Sequence, residues 1–261
     1  MTPENEMLPD RHQKIIEMIS ENGFASIETL ANHFQVTPQT IRRDLNKLDE
    51  SGYVCRYHGG AGLSSSSKNI AYNTRKSIYS EEKIRIAHYA AQHIPDYSSL
   101  FINIGTTTEE VAKALGQVRK GLKVITNNLN VAAILGAKED FEVIIAGGMV
   151  RSRDLGITGD ATVDFIKQFK VDYGIIGVSG IDSDGTLLDF DYHEVRVAKA
   201  IIENSRKTYL IADSSKFGRN AMVRLGDMND IDAIFTDSPP PQGFTRVLSE
   251  GDVRLFVTPG N

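Results

Sequence analysis

The stretch Thr37-Pro38-Gln39-Thr40-Ile41-Arg42-Arg43-Asp44-Leu45-Asn46-Lys47-Leu48 decides how the first quarter of this chain folds. Thr37 is a favourable N-cap, and Pro38 suits the first helical position, where its missing N–H is no loss. Ile41, Leu45 and Leu48 follow at i, i+4 and i+7, which is one apolar stripe of a helix. Gln39, Arg43 and Asn46 leave the opposite face, flanked by Arg42 and Lys47. Upstream, Ile15, Ile16 and Ile19 mark one face of a first helix that stops at Asn22-Gly23. Ser26 caps a second helix whose Ile27, Leu30, Ala31 and Phe34 point inward, and Gln35-Val36 is the brief turn into the third. Short helices joined by a tight turn, the last exposing Gln, Arg and Lys, form a helix-turn-helix layout. Arg on guanine and Gln or Asn on adenine are the pairings a major groove rewards. Downstream, Tyr53-Val54-Cys55-Arg56-Tyr57-His58 and Gly59-Gly60 read as a strand and turn, a wing against DNA phosphates.

The candidate DNA-contacting set is therefore Thr37, Pro38, Gln39, Thr40, Arg42, Arg43, Asn46 and Lys47 on the helix, with Arg56 and His58 in the wing. By charge alone, Arg42, Arg43 and Lys47 read more readily as a solvated helix face. The cap, the stripe, the turn length and the wing together favour recognition. Cys55 reads as a packing residue of the wing rather than a reactive thiol.

Composition changes near Leu63. Ser64-Ser65-Ser66-Ser67-Lys68-Asn69 reads as a flexible polar link, which divides the chain into a DNA-reading domain at 1–62, a linker at 63–80 and a larger domain at 81–261. In the larger part, Leu100 to Ile104, Leu122 to Thr126, Phe141 to Ala146, Tyr173 to Val178 and Tyr209 to Ala212 are short apolar runs. Between them, Glu109 to Leu115, Asn130 to Leu135, Thr162 to Phe169 and His193 to Asn204 carry helical periodicity. That alternation predicts an α/β domain built on a mainly parallel sheet, behind an N-terminal winged helix-turn-helix.

Three of the predicted strands end in polar loops. Gly105-Thr106-Thr107-Thr108 turns the first into a helix, and a glycine turn at a helix N-terminus offers free N–H groups and the positive dipole end to an anion. Thr126-Asn127-Asn128 and Ala146-Gly147-Gly148 follow the next two strands, so the three loops are expected at one carboxyl edge, where open α/β sheets bind ligands. A Gly-Thr-Thr turn taken alone is equally a plain helix cap. Lys216, Arg151 and Arg153 are candidate phosphate cations or ordinary surface charges. Asp189, Asp191 and Glu194 lie near another helix start, either to accept from the hydroxyls of a polyol or to favour the helix dipole.

The totals exclude other classes. At 261 residues with 41% hydrophobic and 24% charged residues, the chain has material for two ordinary globular domains. No run approaches the roughly 18 consecutive apolar residues of a membrane span, and Met1 to Asp10 lack the apolar core of a secretory signal, so a cytoplasmic location without membrane contact is expected. The single cysteine excludes a disulfide framework or a cysteine zinc cluster, and no metal or cofactor is expected. A formal charge of −5 argues against a chain basic over its whole surface, though one basic helix face suffices for nucleic acid. There is no G-x-x-x-x-G-K, G-x-G-x-x-G, H-E-x-x-H or G-x-S-x-G.

Thr37 to Leu45 followed by Arg56-Tyr57-His58-Gly59-Gly60-Ala61 resembles the winged helix of the DeoR family of bacterial sugar-catabolism repressors. The likeness continues through Gly105-Thr106-Thr107, Thr126-Asn127-Asn128, Ala146-Gly147-Gly148 and Asp213-Ser214-Ser215-Lys216-Phe217-Gly218, and spans roughly Arg11 to Pro241. It implies a repressor of double-stranded operator DNA, released by a small phosphorylated effector and working as a homo-oligomer, a dimer or tetramer. The implied effector-binding residues are Gly105, Thr106, Thr107, Thr126, Asn127, Gly147, Gly148, Arg151, Asp191, Glu194 and Lys216, with the resemblance carrying Lys216. Within the family, Ile181 to Gly185, Phe190 to Arg196 and Lys216 to Val223 resemble most the regulators of glycerol catabolism, which implies sn-glycerol 3-phosphate as inducer. Asn103 departs from the Asp usual in the family.

An enzyme is the rival class, because the implied effector domain resembles sugar-phosphate isomerase and CoA-transferase folds. Aldose–ketose isomerisation needs a carboxylate base and an acid over the sugar carbons. Ser179-Gly180-Ile181-Asp182-Ser183 lacks the adjacent Asp-Glu pair expected of such an isomerase, and the DNA module would have no use. A DNA-binding activator, or a regulator sensing a different phosphorylated sugar, shares every feature and stays open.

Overall fold

Ile15, Ile16 and Ile19 are 0–2% exposed on α1 (Asp10–Asn22), the helical period having set them on one stripe. This first helix belongs to a computed structural model that describes residues 9–22, 24–51, 53–57, 59–62, 72–77 and 79–259. The chain divides into two compact units, Met1–Ile78 and Tyr79–Asn261. His58 and the serine-rich stretch at 64–69 lie outside the described residues.

In the first unit, β1 (Phe24–Ser26) leads into α2 (Ile27–Phe34). Ser26 Oγ accepts from Thr29 N at 2.9 Å and caps the helix. Gln35 takes a left-handed φ of 52° and ends it. α3 (Pro38–Glu50) starts at Thr37, whose Oγ1 accepts from Thr40 N at 3.2 Å. β2 (Cys55–Tyr57) and β3 (Gly60–Gly62) form the antiparallel wing, and β1 pairs with β3 to give the order β1-β3-β2. Ile27, Leu30, Ala31, Ile41, Leu45, Leu48, Val54 and Ala61 close one core with the α1 isoleucines, against which Phe34 is only partly buried. α4 (Tyr72–Ser77) falls inside the span read as a linker.

The second unit opens with α5 (Ser80–Gln92), β4 (Ser99–Ile102), α6 (Thr106–Val118), β5 (Lys123–Thr126), α7 (Leu129–Leu135) and β6 (Glu142–Ile145). A small hairpin, β7 (Met149–Val150) and β8 (Ile157–Thr158), precedes α8 (Asp160–Ile166) and β9 (Val171–Ile176). Next come β10 (Gly180–Ile181), β11 (Thr186–Asp189), α9 (Tyr192–Glu203), β12 (Ser205–Ile211) and β13 (Val223–Asp227). β14 (Ala233–Thr236), α10 (Gln242–Glu250) and β15 (Arg254–Val257) complete the unit.

Seven strands form one sheet in the order β15-β14-β12-β9-β4-β5-β6, every neighbouring pair parallel. β14 and β15 extend it beyond the five apolar runs read in the sequence. Strand side chains alternate between two cores. Leu100, Ile102, Val124, Ile175 and Phe235 pack with α5 and α6, while Phe101, Ile125, Ile176, Leu210 and Ile234 pack with α8, α9 and α10. Burying one such side chain contributes about 1.5–3 kcal/mol, so both helical layers are fixed to the sheet. The chain enters at central β4, steps outward to β6 and returns on the other side at β9. The strand order therefore reverses between β4 and β9, the place where such sheets open a crevice at their carboxyl ends.

Candidate nucleic-acid interface and anion site

On α3 the sequence segregates two faces. Ile41, Leu45 and Leu48 are 0–1% exposed, while Pro38, Gln39, Arg42, Arg43, Asn46 and Lys47 are exposed and Thr40 is partly buried. The N-cap pair is closed by a 2.9 Å contact between the Thr37 and Thr40 hydroxyls. Arg56 comes off the wing strand to donate to Asn46 Oδ1, while its N–H donates to Asp49 Oδ1 at 3.2 Å. That ties the wing to the exposed face of α3 and draws on one of Asn46's polar groups. Sequence reading passed over Asp44, which is 5% exposed. It accepts from Arg11 Nε at 2.7 Å and Nη2 at 3.2 Å, and pairs with His12 Nε2 at 3.1 Å. Burial opposes its charge, but the Arg11 and His12 hydrogen bonds and charges outweigh that and hold its carboxyl below the usual range.

In the second unit, parallel pairing of β4, β5 and β6 brings the loops beginning at Asn103, Asn127 and Ala146 out side by side, about 4.8 Å apart per strand. Gly105 starts α6 at φ +156° with no side-chain cap on the first turn. The N-terminal N–H groups of that helix therefore have the dipole and the donors that suit an anion. Thr106, Thr107 and Thr108 are buried there, and Thr108 Oγ1 turns back to Asn103 O at 2.8 Å and Gly105 O at 2.9 Å. Asn103 Oδ1 is buried and has no hydrogen-bond partner among the described residues. Thr126 is used within the sheet, its Oγ1 donating to Ile102 O at 2.7 Å and accepting from Asn128 N at 3.1 Å. Asn127 Nδ2 donates to Ile157 O at 3.1 Å and leaves Oδ1 buried without a partner. Gly147 is exposed and its carbonyl accepts from Thr162 Oγ1 at 2.9 Å. Gly148 has φ +151°, and a Cβ there would run into the same hydroxyl.

Arg151, Asp191 and Glu194, read separately in the sequence, meet one another. Arg151 Nη1 donates to Asp191 Oδ2 at 3.1 Å and to Glu194 Oε1, and its other nitrogens hold buried Asp154. Burial disfavours the Arg151 charge, but Glu194, Asp154 and Asp191 more than offset that, so the guanidinium keeps its proton more firmly than usual. Asp191 also caps α9, its Oδ1 accepting from His193 N at 2.8 Å and Glu194 N at 3.3 Å. Asp189 Oδ1 instead accepts from Ser179 Oγ at 2.9 Å.

Lys216 ends a single 3-10 turn after β12, with Nζ 3.9 Å from Asp213 Oδ2. Asp213 is 1% exposed and its Oδ2 has no hydrogen-bond partner among the described residues. Burial opposes its charge, yet Lys216 and then Lys83 hold its carboxyl below the usual range. Lys83, at the start of α5, is 4% exposed. A lysine so deeply buried calls for a charge partner, and the sequence reading placed neither Lys83 nor Asp213 in the site. The lone signal for Lys83 was a cation where helical periodicity puts the apolar stripe of Ile86, Ala87 and Ala90. Buried acceptors on Asn103 and Asp213, two lysines and an uncapped helix start make this end of the sheet suited to a small anion that also carries hydroxyls.

Residues 11–67 match the DeoR-like helix-turn-helix domain, and residues 78–238 match the DeoR C-terminal sensor domain. The chain is 56% identical to the glycerol-3-phosphate regulon repressor of Escherichia coli K12, over 94% of this chain and 97% of that protein. It is 50% identical to the glycerol-3-phosphate regulon repressor of Haemophilus influenzae, over 96% and 97%. A solved D-ribose-5-phosphate isomerase aligns with 53% of this chain and 54% of its own at 16% identity, with a TM-score of 0.40. Matched in both its units, the chain belongs to the DeoR family.

Proposed function

We propose that this chain is a DNA-binding transcriptional repressor of a glycerol-3-phosphate regulon, released from its operator by sn-glycerol 3-phosphate. The observation that carries this is 56% identity over 94% of the chain to a repressor of that regulon, an overlap that takes in both units. On this reading Gln39, Arg42, Arg43, Asn46 and Lys47 face the major groove. Thr37, Pro38 and Thr40 set the helix start against the backbone, and Arg56 reaches the phosphates from the wing. The exposed polar face of α3 over a dry core supports it.

In the sensor unit the phosphate lies at the first turn of α6, on Gly105, Thr106 and Thr107, with Thr126, Asn127, Gly147 and Gly148 lining the same edge. Lys216 and Lys83 supply countercharge, Asp213 accepts a ligand hydroxyl, and Arg151, Asp191 and Glu194 form the border. One winged helix covers a half-site, so the working form is a dimer or tetramer in the cytoplasm, with residues 63–80 joining head to sensor. Release requires that the ligand bind the DNA-incompetent arrangement more tightly, by about 1–3 kcal/mol per coupled site. Relatives sharing half or more of their residues with this chain are repressors, which leaves the isomerase reading without support.

The deciding experiment is fluorescence anisotropy on DNA from upstream of glycerol-utilisation genes, at fixed salt, with and without sn-glycerol 3-phosphate. Tight binding that the ligand abolishes is expected. Tight binding indifferent to the ligand overturns the inducer, and no operator binding overturns the repressor.

A further inference from the structure

Arg151 and Arg153 converge on the same two oxygens. Asp191 Oδ2 accepts from Arg151 Nη1 at 3.1 Å and from Arg153 Nη2 at 2.8 Å. Glu194 Oε1 accepts from Arg153 Nη2 at 2.9 Å and also from Arg151 Nη1. One nitrogen of each guanidinium, Arg151 Nη1 and Arg153 Nη2, meets the same two carboxylate oxygens, so two cations converge on one point of negative charge, as they would on a phosphate. The two arginines are held differently. Arg151 is 13% exposed and is fixed from behind by Asp154, with Nη2 at 2.6 Å from Oδ2. Arg153 is 46% exposed, and Asp154 is no nearer to it than 3.8 Å. Asp154, Asp191 and Glu194 set three negative charges against the two positive ones, leaving the cluster one charge negative.

The cluster also stands beside the proposed anion site. At Gly156, between the hairpin strands, an added Cβ would lie 2.6 Å from Ile104 Cδ1 and 3.1 Å from Arg151 Nη2, and Ile104 immediately precedes Gly105. Ile157 N donates to Asn127 O at 2.7 Å, so the hairpin lies along the loops that follow β4 and β5. Asp191 divides its work between two oxygens: Oδ1 caps α9 and Oδ2 takes the arginines. Its arginine partners can therefore leave without uncapping the helix.

We infer that Asp191 and Glu194 are an internal competitor for the ligand's phosphomonoester, holding in the free chain the Arg153 guanidinium that the phosphate takes over on binding, while Arg151 stays anchored on Asp154. The inference rests on the ligand-released reading above and names an exchange that sets its threshold. Only a ligand with a strong negative charge displaces the carboxylates, so the cluster selects phosphorylated over free polyols. Glu194 then keeps Arg151 alone, and that loss of one cation reports the bound state through α9.

The test is calorimetric titration of the full chain with sn-glycerol 3-phosphate and, separately, with inorganic phosphate, comparing wild type, Glu194→Gln and Arg153→Met. A neutral amide competes less for the arginines, so Glu194→Gln tightens binding about fivefold or more, while Arg153→Met weakens it by about as much. A purely structural cluster predicts that both substitutions weaken binding together or leave it unmoved, and either result overturns the inference. Thermal transitions of both variants, recorded in parallel, show that the sensor is folded. Opposite shifts for inorganic phosphate in a chain that ignores sn-glycerol 3-phosphate would keep the competitor and discard the proposed inducer. A wild type that is released by sn-glycerol 3-phosphate but whose variants fail to diverge would keep the inducer and discard the competitor. Binding of neither ligand overturns both.

Discussion

Arg43 and Asp44 are adjacent on α3 and meet opposite surroundings, one in solvent and one 5% exposed between α1 and α3. Arg43→Ala is expected to weaken operator binding by about 1–3 kcal/mol and relax base preference at one position, because the side chain is free to reach a base edge. Anisotropy on single-base operator variants checks this, and an unchanged preference would reassign the recognition face. Asp44→Asn is expected to destabilise the N-terminal unit by about 1–3 kcal/mol, since it removes the buried acceptor charge shared by Arg11 and His12. The same carboxylate makes that unit acid-sensitive. With its pKa lowered by folding, its contribution is complete above the ordinary carboxylate range near 4 and is lost as pH falls through the lowered value. Acid unfolding followed by backbone amide signals of residues in α1 and α3 should be less steep in Asp44→Asn than in wild type. Spacing alone placed Arg43 on the exposed face of α3, where the structure has it. It did not reveal Asp44, whose partners lie more than thirty positions away.

Among elements, those with local signals were legible. Ser26 and Thr37 cap the helices they were expected to cap, and the three apolar residues of α3 form its buried face. β14 and β15 carried short apolar runs too, which the reading of the sequence did not count as strands. Of the candidate site, the loop after β4 was legible in the sequence and the end of β12 was not. Gly105-Thr106-Thr107 announces itself as a turn, whereas Lys83 and Asp213 meet only because α5 and the end of β12 converge in space. The Gly147-Gly148 turn shows how tightly one loop is specified. Gly148→Ala forces a side chain into a left-handed φ of +151° and against Thr162 Oγ1, with Thr158 O at 3.0 Å. It is expected to lower sensor stability by about 1–3 kcal/mol, read as a drop of a few degrees in thermal midpoint. Gly147→Ala, which meets nothing within 4 Å, is the matched control expected to leave the midpoint in place.

For the molecule as a whole, the two units differ in how far apart along the chain their contacts lie. The head is closed by neighbouring helices and a short hairpin. The sensor's central pair, β4 and β9, is joined across a long interval, and Ser99 N reaches Asp172 at a separation of 73 residues. Local contacts form quickly and distant parallel pairings slowly. Stopped-flow refolding should therefore show a fast phase sensed in the head and a slower one sensed in the sensor, and a single shared rate would contradict this. During synthesis at about 5–20 residues per second, β4 waits roughly 4–15 seconds for its partner to leave the ribosome. Throughout that interval an apolar strand has one bare edge, open to the same strand on a neighbouring nascent chain. The order of strands in the finished sheet thus fixes a moment of vulnerability in the life of every new copy, one that ends when β9 arrives.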